Sequence, residues 1–285
     1  MIGIFIVFMA GIFSFIMWKG YENTKKVSIN STTIHEEFSE HANTTLTVLH
    51  LSDLHLEHIS ITPVTLFNIL KDQQIDLIAL TGDFLDRKRT LPKLKPYLEM
   101  LNKLKPTYGT FAVFGNHDYI LQKEAFNRLK KMLNEYGIHT MQNENTTITI
   151  NGVHINIIGI DDYRTKHSNL EKSYRNIQDG YNLVLTHDPN IILEMEKYPV
   201  DLLLAGHFHG GQICWPKPYQ LTKMPTMGKL PKMNMIKGLH RYKGKTLYIN
   251  EGLGQTGLNI RFGSRPEITL HHIVIPLARK SQMIS

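Results

Sequence analysis

Five short polar clusters in this chain carry groups that bind metals and phosphates. They are Asp53-x-His55, Gly82-Asp83-x-x-Asp86, Gly115-Asn116-His117-Asp118, His187 and Gly206-His207-x-His209. Carboxylate, imidazole and amide donors together suit divalent manganese, iron or zinc, and the residue types do not choose among these. A single cysteine, Cys214, excludes both a disulfide framework and a zinc site built from several thiolates. Taken one at a time the clusters are ordinary. An Asp after a strand commonly caps a turn or helix, and two histidines at i, i+2 share a face of any strand. Together they could hold two cations. Such a pair needs an anionic bridge, which a carboxylate supplies with its two oxygens. Neutral imidazoles and an Asn carbonyl leave the site cationic enough for a phosphate dianion, and a water shared by two cations loses one proton near neutral pH, giving a hydroxide nucleophile.

The elements that would position these groups are legible from apolar runs. Residues 46–51, 77–80, 111–114, 153–160, 183–185 and 202–205 are short, apolar and bounded by Gly or polar turns, which reads as buried strands. Helical spacing falls between several of them, over 64–74, 93–105, 122–136 and 190–197. The alternation predicts an α/β layered domain, and late runs at 246–250 and 268–275 predict a more antiparallel closing part. In such sheets ligands bind beyond the carboxyl ends of the strands, where several loops converge. Every one of the five clusters sits at such an end.

In this order the clusters resemble the calcineurin-like metallophosphoesterases, over roughly residues 46–275. The blocks D-x-H, G-D-x-x-D, G-N-H-D, H and G-H-x-H are all present. The extended form Gly206-His207-Phe208-His209-Gly210-Gly211-Gln212, with Gly252-Leu253-Gly254 and Arg265-Pro266-Glu267, is similar to the membrane-associated bacterial branch. That branch includes UDP-2,3-diacylglucosamine pyrophosphatase-like enzymes. The resemblance implies a four-layer αββα sandwich and two divalent metal ions. It implies Asp53, His55 and His209 on one metal, Asn116, His187 and His207 on the other, and Asp83 between them. It implies that His117 protonates or stabilises the leaving oxygen, oriented by Asp86, with Asp118 as a rival partner.

Residues 2–18 contain no charged side chain and are rich in Ile and Phe, which predicts a transmembrane anchor of one helix. A cleaved signal peptide is the competing reading, but no basic residue precedes the run and no A-x-A site follows it. Lys19, Lys25 and Lys26 beyond the span favour a cytoplasmic body without fixing the side. Residues 19–44 read as a polar linker, and residues 45–278 as the catalytic domain. Net charge is +7, yet residues 211–245 alone hold eight Lys or Arg and no Asp or Glu. This segment includes a Met-rich stretch, 213–240, expected to form a basic flap that could meet the phosphate and acyl parts of a lipid-linked substrate, or simply a surface loop packed on the core.

A composition of 42% hydrophobic and 20% charged residues excludes wholesale disorder. The expected function is therefore a membrane-anchored phosphoesterase acting on mono- or diester or pyrophosphate bonds. Two alternatives stand beside it: a non-catalytic docking protein that keeps the fold, and a nuclease. The match of Gly252-x-Gly254-x-x-Gly257 to a dinucleotide fingerprint is read as a turn, because no helix follows it.

Overall fold

The computed structural model describes residues 1–35, 43–214 and 227–276. After helix α1 (Ile2–Asn23) come the strands β1 (Ser28–His35), β2 (Asn43–Leu51), β3 (Leu77–Thr81), β4 (Thr110–Val113) and β5 (Ile138–Thr140). Helices α2 (Pro63–Leu70), α3 (Leu94–Leu104) and α4 (Lys123–Glu135) connect β2 to β5. The second half supplies β6 (Glu144–Ile150), β7 (Val153–Gly159), β8 (Tyr181–Leu185), β9 (Leu202–Ala205), β10 (Gly238–Tyr242), β11 (Lys245–Ile249) and β12 (Glu267–Pro276). Two six-stranded sheets result, in the orders β1-β12-β2-β3-β4-β5 and β10-β11-β9-β8-β7-β6.

The period-two alternation of a strand sorts its side chains between the layers. On β2 and β3, Leu46, Val48, Leu77 and Ala79 face the opposing sheet, where they meet Ile155, Ile157, Leu183, Leu185 and Leu204. Their neighbours Leu49, Leu51, Ile78 and Leu80 face outward and pack under α2, α3 and α4. On the far side, Val184, Leu203 and Ile158 are covered by Ile191, Ile192, Met195 and Leu230. Three apolar seams between four layers are the αββα sandwich expected.

The helices follow their local chemistry. Thr62 caps α2 by accepting from the Thr65 N–H at 3.1 Å, and Pro63 occupies the first helical position, where no N–H is needed. Along α4, Ala125, Leu129 and Leu133 recur every four residues and are its buried positions. Residues 190–197, expected as a helix, form only a 3-10 turn at Pro189–Glu194, closed at its start by the Asp188 carboxylate.

The structure adds detail to two expectations about organisation. The span 19–44 is not merely a linker: α1 continues to Asn23, and β1 pairs in parallel with β12 from Ser28↔Glu267 to His35↔Val274. Its polar Ser/Thr/Asn composition hides a strand because an edge strand buries only part of one face. Of the stretch 213–240, residues 213–214 and 227–240 are described. The second part holds a 3-10 turn at Leu230–Met233 with Leu230 fully buried, then enters β10. The Asn190 side chain fastens it, accepting from the N–H groups of Lys229 and Leu230 at 3.0 and 3.1 Å. Trp215, Pro216, Lys217, Pro218, Lys223, Met224 and Pro225 lie outside the described residues.

The basic excess is partly paired off. Lys237 Nζ sits 3.0 Å from Glu251 and Lys243 Nζ 3.0 Å from Glu196. A single run of residues is charged in sequence, but its cations point to several places in the fold.

Candidate metal centre

Every sequence-derived site residue lies at the carboxyl end of a strand or in the turn that follows. Asp53 and His55 follow β2, Asp83 and Asp86 follow β3, and Asn116 and His117 follow β4. His187 follows β8, and His207 and His209 follow β9. The two sheets contribute from opposite sides, so one cleft receives loops from both.

The side chains converge in three groups, two of them wholly buried. Asp53, His55 and His209 offer donor atoms within 4.8 Å of one another, and so do Asp83, His187 and His207. All six are buried. Asp83 Oδ2 belongs to both neighbourhoods, at 3.0 Å from His187 Nε2 and 3.5 Å from His55 Nε2. Asp53 Oδ1 lies 3.3 Å from His209 Nε2, and His207 Nδ1 lies 3.2 Å from His187 Nε2. The remaining donor, Asn116, is buried beside His117, whose N–H donates to Asp83 Oδ1 at 2.8 Å.

The backbone there is bent out of its ordinary range. Asp53, His55, Asp83, His207 and His209 have φ of 50°, 37°, 54°, 74° and 50°, in the left-handed region that side chains with a Cβ avoid. Strain of this kind costs about 1–3 kcal/mol per residue and clusters where function requires it. Gly115 permits the closest approach, since a Cβ on it would collide with the Asp83 carboxylate.

Fit to metal is tested by what the protein leaves unmet. His55 Nε2, Asn116 Oδ1 and His209 Nδ1 are buried and accept or donate no hydrogen bond. Each such group costs about 1–3 kcal/mol, which cations lying among them would offset. The donor set, imidazole, carboxylate and amide, fits a divalent transition metal. Outer partners fix the rings. His187 Nδ1 donates to the Thr81 carbonyl at 2.7 Å, leaving Nε2 towards Asp83, and Asp86 Oδ1 sits 2.7 Å from His55 Nδ1.

Protons balance the carboxylates of the metal-free site. Burial would depress His55, but the bond to Asp86 and the charges of Asp83, Asp86 and Asp53 outweigh it and push it up to about 9. Burial likewise opposes His187, and Asp83 raises it well above its ordinary value. Burial keeps His207 and His209 well below theirs, with the neighbouring charges of His187 and His55 adding to it. At pH 7 two of the four rings are therefore neutral donors and two carry a proton that a cation must displace. Loading with Mn²⁺ at pH 7 is expected to release roughly two protons per chain. Apparent affinity should rise with pH towards about 9 and fall as pH drops, because His55 is protonated below that value. Calorimetry in buffers of different ionisation enthalpy reads the proton count; metal uptake with no release would contradict the arrangement.

His117 joins His55 and Asp86 in the third group and reaches the cleft. Its Nδ1 is 3.1 Å from Asp86 Oδ1, and its ring meets His55 edge-on with centroids 4.9 Å apart. Asp86 thus serves two histidines, which the motif alone does not reveal. Asp118, the rival partner, faces elsewhere. Its carboxylate accepts from the N–H groups of Asp83, Phe84 and Gly115, each at 2.9 Å, and ties two site loops together.

A cleft of about 310 Å³ opens over these residues. Asp83, His117, His207 and His209 form its floor; Arg164, Gln212, Thr256 and Gly257 its polar rim; Phe208, Ile213 and Met227 an apolar side. Arg164 was not among the sequence candidates, yet its Nη1 lies 3.3 Å from His207 Nε2. The only hint was its place just after Asp161-Asp162 at the end of β7. Of the methionines expected to line a flap, Met227 borders the cleft and Met233 is exposed on the surface. Gly252 and Gly254, the fingerprint decoy, brace the Asp53 turn: the Gly254 N–H donates to the Asp53 carbonyl at 2.7 Å.

A four-layer sandwich with this His- and Asp-lined cleft is the architecture of a metal-dependent phosphoester hydrolase. The family model for calcineurin-like phosphoesterases matches residues 46–211, and the chain belongs to that family. The metallophosphoesterase YkoQ of Bacillus subtilis is 58% identical over 257 residues, covering 90% of this chain and 94% of that one. The UDP-2,3-diacylglucosamine pyrophosphatase LpxG of Chlamydia trachomatis is 28% identical, covering 79% and 82%. The phosphodiesterase YaeI of Escherichia coli is also 28% identical, covering 80% and 82%.

Proposed function

We propose that this protein is a membrane-anchored hydrolase of phosphodiester or pyrophosphate bonds that works with two divalent cations. The observation carrying this reading is the double proximity of Asp83 Oδ2 to His187 and His55. Asp53, His55 and His209 would hold one cation, Asn116, His187 and His207 the other, with Asp83 shared. When bound, the cations would polarise the phosphoryl oxygens and supply a nucleophile from water near neutral pH.

The rest falls to the chain. Burial disfavours a proton on His117, but the Asp86 contact and the Asp83 charge outweigh it and raise its pKa. An imidazolium at the cleft floor can donate its proton to the departing oxygen. Asp86 keeps that proton available and holds the ring. The Arg164 guanidinium at the rim suits a non-reacting phosphate oxygen.

An amphiphilic phosphoester is the substrate class this reading favours. LpxG, by its name, acts on a nucleotide-linked diacyl sugar, and the apolar side of the cleft would accept such a neighbour. The helix Ile2–Asn23 is long and apolar enough to cross a membrane, with a mean hydropathy of 2.1 over its most apolar window. Its 22 residues span roughly 33 Å, which supports an uncleaved single-pass anchor in the cell membrane.

The test is a hydrolysis screen of the manganese-loaded protein in detergent. Aryl phosphodiesters and a nucleotide–lipid pyrophosphate should be cleaved, aryl monoesters less well, and all activity should vanish in Asp83→Ala. Metal-loaded protein inert towards every one of these would overturn the proposal.

A further inference from the structure

The end of α1 does not swing free of the catalytic body. Gly20 is buried, and a Cβ there would meet the Phe262 ring at 2.6 Å and Ile260 at 2.9 Å. The Arg261 N–H donates to the Gly20 carbonyl at 3.0 Å, and the Asn23 side chain donates to the Arg261 carbonyl at 2.9 Å. Thr24 Oγ1, fully buried, lies 2.6 Å from Ser60 Oγ. A flexible tether over residues 24–44 would allow roughly 25 Å of root-mean-square reach. These contacts fix the helix end to the body instead, chiefly to the loop at residues 260–262.

That loop is also a wall of the cleft. Arg261, fully buried, donates from Nη1 to the carbonyls of Glu251 and Arg265 and from Nη2 to those of Gly252 and Gly254. The segment 251–265 is thereby one stiff unit. It grips the metal centre through Gly254 N–H to the Asp53 carbonyl and through Ser264 Oγ to the His209 carbonyl at 2.7 Å. It borders the cleft through Thr256 and Gly257. Ile260, which touches the helix end, is three positions beyond Gly257, so the cleft wall lies within about 11 Å of the anchor. Between them stands Leu258, 58% exposed although large and apolar.

An α1 that crosses a bilayer would leave it at the level of this loop. Trp18 is 56% exposed on the helix surface just before Gly20, and Lys19, Lys25 and Lys26 follow, the usual order of an aromatic and then a cationic interface. Resting on the anchor reading above, we propose that residues 256–260 form a lip lying on the bilayer that α1 crosses. Leu258 enters the acyl boundary, and the cleft draws its phosphoester from that surface instead of bulk water. The continuity of the exposed apolar helix with the lip selects a lipid surface as the occupant over a second protein.

The test uses the full chain with Cys214→Ser, reconstituted into vesicles of mixed phosphatidylcholine and phosphatidylglycerol. An environment-sensitive NBD label is placed at Leu258→Cys or, as a depth reference, at Ile6→Cys. Both labels should shift to the blue and be quenched by a quencher carried on lipid acyl chains. An Ile6 label in lipid with a Leu258 label in water would overturn the proposal while leaving the anchor standing. An Ile6 label in water would remove the anchor and the proposal with it. A blue-shifted Leu258 label that lipid quenchers do not reach would mean a protein occupant and also overturn it. In activity, Leu258→Glu should lose about tenfold in kcat/KM on an acylated aryl phosphodiester embedded in the vesicles. It should be unchanged on a soluble bis-aryl phosphodiester. Equal loss on both would count against the lip.

Discussion

Asp83→Asn is expected to lower turnover by about 10³-fold or more and to strip the protein of stoichiometric metal, while the chain stays folded. The amide keeps an oxygen for the His117 N–H, now 2.8 Å from Asp83 Oδ1, so the turn between β4 and α4 retains its anchor. What disappears is the negative charge. Asp83 is held well below the usual carboxylate range, because the pull of His187, His55 and His117 outweighs its burial. An Asn there offers neither the charge nor two equivalent anionic oxygens to a pair of cations. Stabilisation of phosphoryl charge by bound cations is worth several kcal/mol, and each 1.36 kcal/mol is a factor of ten in rate, which sets the size of the loss. Elemental analysis, circular dichroism and turnover on a phosphodiester check it together. A folded Asp83→Asn protein with full metal and more than a tenth of the activity would contradict the role assigned to this residue.

His117→Ala should behave in the opposite way towards metal. We expect turnover to fall by about 10²–10⁴-fold, the usual range for a positioned proton donor, with metal content unchanged. The ring meets Asp86 and the edge of His55 in the less buried third group, while the two wholly buried groups of converging donors form without it. Leaving groups separate this role from a structural one. Esters of aliphatic alcohols, which depart only with a proton, should lose most, and nitrophenyl esters least. The pH profile gives a second signature. A donor acts in its protonated form, so wild-type kcat should decline as pH rises through the elevated His117 pKa, and the variant should lose that limb. Asp86→Asn should move the limb to lower pH. It should also loosen His55, since the same carboxylate oxygen serves both rings. Loss of metal in His117→Ala would show that the ring is a ligand.

The catalytic half of this account was legible in the sequence for a physical reason. Buried strands such as β3 and β8 are continuous apolar runs, and the polar residues that end them have nowhere to go but the cleft. Asp53, Asp83, His187 and His207 were therefore visible both as donors and as strand ends. The strands that escaped are edges. Residues 28–35 and 144–150 carry Ser, Thr, Asn and Glu because one face meets solvent, and their pairing partners lie elsewhere in the chain. The same limit hid the roles of several polar side chains. Asp118 sits next to His117 in sequence but turns towards backbone groups 33 to 35 residues upstream. Arg261 resembles any basic loop residue until its four carbonyl partners are seen. The basic stretch 211–245 suggested one surface, whereas its described residues are divided among a packed turn, β10 and β11 and separate ion pairs.

Metal stoichiometry bears most directly on the central claim. Purified protein is stripped with chelator, reloaded with manganese, freed of excess and analysed for metal per chain. Convergence of Asp53, His55, Asp83, His187, His207 and His209, with the buried, unpartnered Asn116 Oδ1 as the seventh donor, predicts about two ions per chain, and none retained when Asp83 is Asn. A wild-type chain that holds no transition metal after reloading would contradict the account at its root.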